Sequence, residues 1–171
     1  MDYINGQGVN AAAYALLAFD AKQYEIPTAK AGETQTTREG LIRKILDAQL
    51  SDGGWDYSEV GADPDMTAMV LQALAPYCSS DTAVRTAVDK GLSALSAIQN
   101  PDGTYSSWGY VSSYSLAQVL TALSILKVDP LTDSRFIKNG RTVIDALGDF
   151  YVPGAGFKGN IDDTAVAAGA N

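Results

Sequence analysis

The chain has 171 residues, 46% of them hydrophobic, which is long and apolar enough for one folded domain with its own core. Twelve basic against twenty acidic residues give a net charge of −8, so a nucleic acid or an anionic membrane would be repelled, and neither is expected as a partner. The sequence has no histidine and a single cysteine, Cys78, which excludes histidine-dependent nucleophile systems and an internal disulfide.

The first predicted element is an apolar, alanine-rich helix near residues 11–20. Its apolar run is well short of the roughly 20 residues that cross a bilayer, so no membrane span is expected. A charged, amphipathic helix is predicted near 37–49, where Thr36 and Glu39 have the spacing of a capping box. The two helices therefore differ in kind, one apolar on nearly all sides and one polar on a single face.

The same alternation continues along the chain. Apolar helices are predicted near 66–76 and 115–126, and amphipathic helices near 83–98 and 134–149. Asp81 is expected to cap the helix at 83–98, and Thr132 or Asp133 the helix at 134–149. Helix is favoured for all these segments because strict two-residue alternation is nowhere sustained.

Three stretches of the sequence repeat one another. Trp55, Tyr105 and Phe157 lie 50 and 52 residues apart, each after an amphipathic run and a glycine-containing turn, and Gln49 and Gln99 precede the first two aromatics by six positions. The repeat predicts equivalent buried sites for the three aromatics. It divides one domain, residues 1–171, into units of about 50 residues, at 1–57, 58–107 and 108–158, with the start of a fourth at 159–171.

An inner layer of apolar helices covered by an outer layer of amphipathic ones predicts an all-α fold, an α/α toroid. Three hairpins and the beginning of a fourth are too few to close a ring, so the chain is expected to be a fragment of a longer protein. Self-association through the open end of the ring is the alternative.

"QLSDGGW" (49–55) resembles the Gln–Gly–Trp motif of the squalene cyclase and prenyltransferase-like toroid superfamily, and "QNPDGTY" (99–105) resembles it with tyrosine in place of tryptophan. "DPDMTAMVLQALAPY" and "DSRFIKNGRTVIDAL" are more closely similar to the prenyltransferase-like repeats of secreted or cell-surface proteins of Gram-positive bacteria, a subfamily similar to the toroid half of transcobalamin-type vitamin B12 carriers. The resemblance implies an extracellular or cell-surface location.

"NIDDTAV" (160–166) resembles the acidic motif of class II terpene cyclases, in which a protonated carboxyl protonates a polyene. By that resemblance Asp162 would be the acid and Asp163 its neighbour, but Asn160 replaces the first aspartate and the segment is four or five residues out of register with the repeat. "GADPDMTAM" (61–69) has a better register but lacks the last aspartate, and Asp65 as a helix N-cap explains it without chemistry. Whether residues 160–171 form a helix or a loop is left open.

We therefore expect a binding module rather than an enzyme, with no cofactor and no metal, since two carboxylates are too few ligands for a calcium site. The expected ligand is a small molecule, a glycan or a protein. The alternatives are a partial or degenerate class II terpene cyclase and a corrinoid-binding toroid half-domain. The candidate ligand-binding residues are Asp63, Asp65, Tyr57, Tyr110 and Tyr114.

Overall fold

The computed structural model describes residues 7–58 and 60–167. Within these residues the chain forms α-helices that alternate with loops and short hairpins. The helices are α1 (Gly8–Asp20), α2 (Arg38–Asp47), α3 (Pro64–Leu74), α4 (Thr82–Ile98), α5 (Ser113–Ile125) and α6 (Val143–Gly148). Single 3-10 turns follow α3 at Ala75–Tyr77 and precede the second hairpin at Ser134–Phe136.

Three antiparallel hairpins, each of two strands, interrupt the helices in the second half of the chain. Each strand is two residues long. The strands are β1 (Ser106–Ser107), β2 (Tyr110–Val111), β3 (Ile137–Lys138), β4 (Arg141–Thr142), β5 (Tyr151–Val152) and β6 (Gly156–Phe157).

The predicted all-α toroid is wrong. The described residues are 48% helical, and three small antiparallel sheets stand beside the helices, so the architecture is mixed. Five helices nevertheless lie within about three residues of their predicted positions. These are the helices predicted near 11–20, 37–49, 66–76, 83–98 and 115–126.

The helix predicted at 134–149 is the element that fails. A 3-10 turn and the β3–β4 hairpin take its place, and the six-residue helix α6 covers only its C-terminal part. The hairpin turns at Asn139 and Gly140, whose φ angles are 50° and 79°. Asparagine followed by glycine favours this tight turn because both residues tolerate positive φ.

Side-chain caps fix where the helices begin. The Thr37 hydroxyl, rather than that of Thr36, accepts from Gly40 N at the start of α2. Asp63, rather than Asp65, caps α3 by accepting from Met66 N. Asp81 caps α4 as predicted. Asp63 can take the cap because Pro64 occupies the first helical position, which needs no N–H partner.

The apolar helices α1, α3 and α5 pack side by side, with α3 in the middle. Each also packs against the helix that follows it, so α2, α4 and α6 lie outside this row. One hydrophobic core runs through the row. Among the described residues, no helix has the length and apolarity that a membrane span needs.

The repeat is visible in the loops after α2 and α4. Gln49 Nε2 donates to Gly53 O and to Ala87 O, both at 2.8 Å. Fifty residues later, Gln99 Nε2 donates to Gly103 O at 3.0 Å and to Phe136 O at 3.3 Å. In both loops the glutamine ties its own turn to the next outer element.

The aromatic that follows each glutamine is fully buried, at Trp55 and at Tyr105, as predicted. The third aromatic, Phe157, is only half-buried and belongs to the β5–β6 hairpin. Residues 160–167 form turns and a bridge between Asn160 and Ser112, and no helix begins there. The remainder of the predicted fourth unit, residues 168–171, lies outside the described residues.

Candidate functional site

A cavity of about 220 Å³ opens at the junction of α1, the N-terminal end of α3 and the β1–β2 hairpin. We call it the Trp108 pocket. Tyr14 of α1 and Trp108 of the hairpin line it with aromatic rings, and α3 supplies carboxyl groups and thioethers. The lining residues used below are Tyr14, Asp63, Asp65, Met66, Met69 and Trp108.

Trp108 is displayed by the turn of the hairpin. Trp108 and Gly109 are the two loop residues between β1 and β2, with φ angles of 51° and 81°. Trp108 is 74% exposed. A bulky residue with positive φ is uncommon, because its Cβ is crowded against the backbone. The hairpin therefore holds a large indole in solvent at a position that favours asparagine or glycine.

Trp108 also borders a second cavity, of about 320 Å³, whose lining includes Asp56 and Asp63. Trp108 and Asp63 line both cavities, so the two cavities are neighbouring parts of one recessed surface. Desolvation alone would raise the pKa of Asp56, but the hydroxyl of Ser58 and nearby backbone N–H groups donate to this carboxylate and together lower its pKa below the ordinary value. Asp56 thus adds a negative charge to this side of the surface.

Asp63 joins the hairpin to α3. Its Oδ1 atom accepts from Met66 N at 2.9 Å, which is the N-cap bond of α3. Its Oδ2 atom accepts from the hydroxyl of Ser107 on β1 at 2.6 Å. A single carboxylate therefore starts the helix and fixes the strand that leads into Trp108.

Asp65 lies on the first turn of α3 with a carboxyl that is poorly satisfied. Its Oδ1 atom is buried and has no hydrogen-bond partner. Burial raises the pKa of Asp65 above its ordinary value, and the negative charge of Asp63 raises it further, while the hydroxyls of Ser115 and Ser107 lower it. The pocket wall therefore holds a carboxyl whose charge the fold itself compensates poorly.

The structure brings together two of the predicted binding residues. Asp63 and Asp65 line the Trp108 pocket. Tyr57, Tyr110 and Tyr114 are exposed but are absent from the lining of either cavity described here.

The acidic pair near the C-terminus lies in a turn. Asp162 is exposed, and Asp163 Oδ2 accepts from Asn160 N at 2.8 Å. This bond closes a local turn, as a short polar side chain commonly does. The pair does not line either cavity at Trp108.

Sequence reasoning missed Trp108 and Tyr14. The stretch "SSWGYV" (106–111) carries the signal that could have revealed Trp108. Its two central residues, Trp108 and Gly109, lie between two short pairs, which is the pattern of a hairpin with a two-residue turn. Tyr14 carries no such signal, because a single tyrosine on an apolar helix is compatible with the core. Only the folded structure shows that Tyr14 is 61% exposed.

The described residues offer little for metal or thiol chemistry. No group of three or more His, Cys, Asp or Glu residues among them could hold a metal ion. Burial raises the pKa of the Cys78 thiol, and the charge of Asp89 raises it further. A thiol with a raised pKa is a poor nucleophile at neutral pH.

Comparison of the chain with protein-family models, with curated proteins and with solved structures finds no match in any of the three. The resemblance to the squalene cyclase and prenyltransferase-like superfamily, and the surface location that it implies, stay predictions of the sequence.

Proposed function

We propose that the chain is a non-catalytic binding module that holds its ligand at the Trp108 pocket. The observation that carries the proposal is the display of Trp108, 74% exposed and with a φ angle of 51°, beside a cavity. Backbone strain and an exposed indole both cost stability, and such conflicts with local preference concentrate at functional sites.

A neighbouring hairpin shows that the fold does not require this tryptophan. The β3–β4 turn has nearly the same backbone, with φ angles of 50° and 79°, but carries Asn139 where the β1–β2 turn carries Trp108. Asparagine is the favoured residue at such a position. The turn alone therefore gives no reason for an indole, whereas contact with a ligand does.

The rest of the pocket fits binding as well. Tyr14 adds a second ring that is 61% exposed, and the Ser107–Asp63 bond fixes the hairpin against α3. A pocket formed before the ligand arrives loses less entropy on binding. Asp63 and Asp65 supply the few polar groups that orient a ligand in such a site.

The proposal is tested by recording ¹H–¹⁵N spectra of the full 171-residue chain against a set of cationic, neutral and anionic small molecules. We expect at least one class to shift the signals of the β1–β2 hairpin and the first turn of α3. Trp108→Asn should abolish the shifts, and Trp108→Phe, which keeps a ring, should weaken them.

The matched control is Asn139→Ala in the β3–β4 hairpin, which should leave the shifts unchanged. Shifts that map away from the Trp108 pocket, or that survive in Trp108→Asn, would show that the pocket is not the binding site.

A further inference from the structure

We propose that the Trp108 pocket recognises an organic cation, specifically an alkylammonium head group. This inference rests on the proposed binding function and adds the chemical class of the ligand. It follows from the combination of carboxylates, aromatic rings and thioethers in one small cavity.

The charge around the pocket has one sign. Asp63 and Asp65 line it, Asp56 lines the adjoining cavity, and the described residues that line either cavity include no lysine or arginine. The ion pairs found in the described residues join Arg38 to Asp20, Arg135 to Asp133 and Arg141 to Asp149, so they leave these three carboxylates unpaired. A cation entering the pocket would meet negative potential from two sides.

The two carboxylates of the pocket are not equally satisfied. Asp63 has a hydrogen bond on each oxygen, whereas Asp65 Oδ1 is buried without one. Because this oxygen is already out of water and unbonded, the charge of Asp65 lacks compensation, which a cation in the cavity supplies and a neutral ligand does not. The unsatisfied carboxyl therefore favours a positively charged ligand over a neutral one.

The apolar lining selects an organic cation rather than a metal ion. The exposed rings of Tyr14 and Trp108 can attract a cation through their faces. Met66 and Met69 add polarizable sulfur to the same lining. A hard metal ion is held by several charged oxygen ligands, and no group of three or more His, Cys, Asp or Glu among the described residues could hold one.

The size of the cavity restricts what enters. A volume of about 220 Å³ accommodates a compact head group, while the rest of a larger ligand would lie along the adjoining surface. The ligand can thus be a small ammonium compound or the ammonium end of a larger molecule. The head group is what the pocket distinguishes.

The test compares choline with 3,3-dimethylbutan-1-ol, a neutral molecule of nearly the same shape, by titration of the full chain monitored by ¹H–¹⁵N spectra. Methyl α-glucoside serves as a neutral sugar probe. We expect choline to bind at least about tenfold more tightly than its neutral isostere, as a cation–π contact combined with a carboxylate predicts.

Two variants distinguish the effect of the pocket on choline binding from the effect of the chain's overall negative charge. Asp65→Asn should weaken choline binding about tenfold and leave the neutral isostere unaffected. Asp47→Asn removes the same charge from the exposed end of α2 and should change choline binding less than twofold at 0.15 M salt, where distant charges are screened. Circular dichroism of both variants checks that they are folded.

Equal affinity for choline and its isostere, or a failure of choline to shift the pocket signals, would overturn the cation inference. If the sugar or the neutral isostere then binds at the pocket and Trp108→Asn removes that binding, the proposed function stands with another ligand class. If every probe that binds does so elsewhere, both proposals fail.

Discussion

The hydroxyl of Thr67 forms hydrogen bonds with both backbone groups of Trp55. Its Oγ1 atom accepts from Trp55 N at 3.0 Å and donates to Trp55 O at 3.1 Å. Both residues are fully buried, and the indole Nε1 donates to Ile45 O at 2.8 Å. The loop after α2 is therefore joined to α3 and to α2 through one residue.

We predict that Thr67→Val lowers the free energy of unfolding by about 1 to 3 kcal/mol, because it leaves the buried Trp55 N–H without a partner. Trp55 O would keep the bond that it accepts from Asp63 N. Urea unfolding followed by circular dichroism measures the change. Thr67→Ser retains the hydroxyl and should lose clearly less; a larger loss in Thr67→Ser than in Thr67→Val would show that packing of the methyl group contributes more than the hydroxyl.

The buried aromatics of the two repeats should respond differently to loss of their polar atom. Tyr105 is fully buried, and its hydroxyl has no hydrogen-bond partner. The free energy of unfolding of Tyr105→Phe should therefore lie within about 0.5 kcal/mol of that of the parent chain, or slightly above it. The reason is that an unsatisfied buried hydroxyl contributes no stability.

Trp55→Phe is the matched comparison, because it deletes an indole N–H that is bonded to Ile45 O and leaves a cavity. It should cost about 2 to 4 kcal/mol in the same urea experiment. A loss above about 1.5 kcal/mol in Tyr105→Phe would mean that the hydroxyl finds a partner in solution, such as a buried water.

The helical half of the fold could be predicted because its signals are local. The apolar runs of α3 and α5 and the charged faces of α2 and α4 repeat with helical period, and Asp81 marks the start of α4. The hairpins were missed because strands of two residues are too short to show alternation. Their only signal in the sequence is the residue pair at the turn, such as Asn139–Gly140 between β3 and β4.

The site could be predicted only in part, for a related reason. Asp63 and Asp65 stand out in the sequence as a carboxyl pair at a helix start, and both line the pocket. Tyr14 and Trp108 are far apart in the chain and meet there only because α1 and the β1–β2 hairpin pack around α3. Tertiary packing, rather than any local pattern, completes the site.

The raised pKa of Asp65 predicts a pH-dependent cost to stability. A carboxyl whose pKa is higher in the folded chain than its ordinary value of 3.8 binds its proton more tightly when folded. Stability therefore falls as the pH rises through the window between 3.8 and the folded pKa, and the loss persists at neutral pH. Asp65→Asn should accordingly melt a few degrees higher than the parent chain at pH 7.

Melting curves at pH 3 and pH 7 measure this effect, and the difference between the two proteins should largely vanish at pH 3. Asp63→Ala is the comparison, since it removes the cap of α3 and the bond from Ser107 and should lower stability by about 1 kcal/mol at pH 7. A lower melting temperature for Asp65→Asn at pH 7 would contradict the role of burial.

The last prediction sets stability against binding at Trp108. Trp108→Asn places in the β1–β2 turn the residue that the β3–β4 turn already has, at a φ angle of 51° that asparagine adopts more readily than tryptophan. We expect the free energy of unfolding to rise by about 0.5 to 1 kcal/mol. Trp108→Phe keeps the strained backbone and should leave stability unchanged within about 0.5 kcal/mol.

The same Trp108→Asn protein should no longer bind at the pocket, because the ring that contacts the ligand is gone. Urea unfolding and the ¹H–¹⁵N titration, run on one sample, measure both quantities. If Trp108→Asn were instead destabilised by more than about 1 kcal/mol, the indole would be holding the hairpin in place, and its exposure would no longer argue for a ligand.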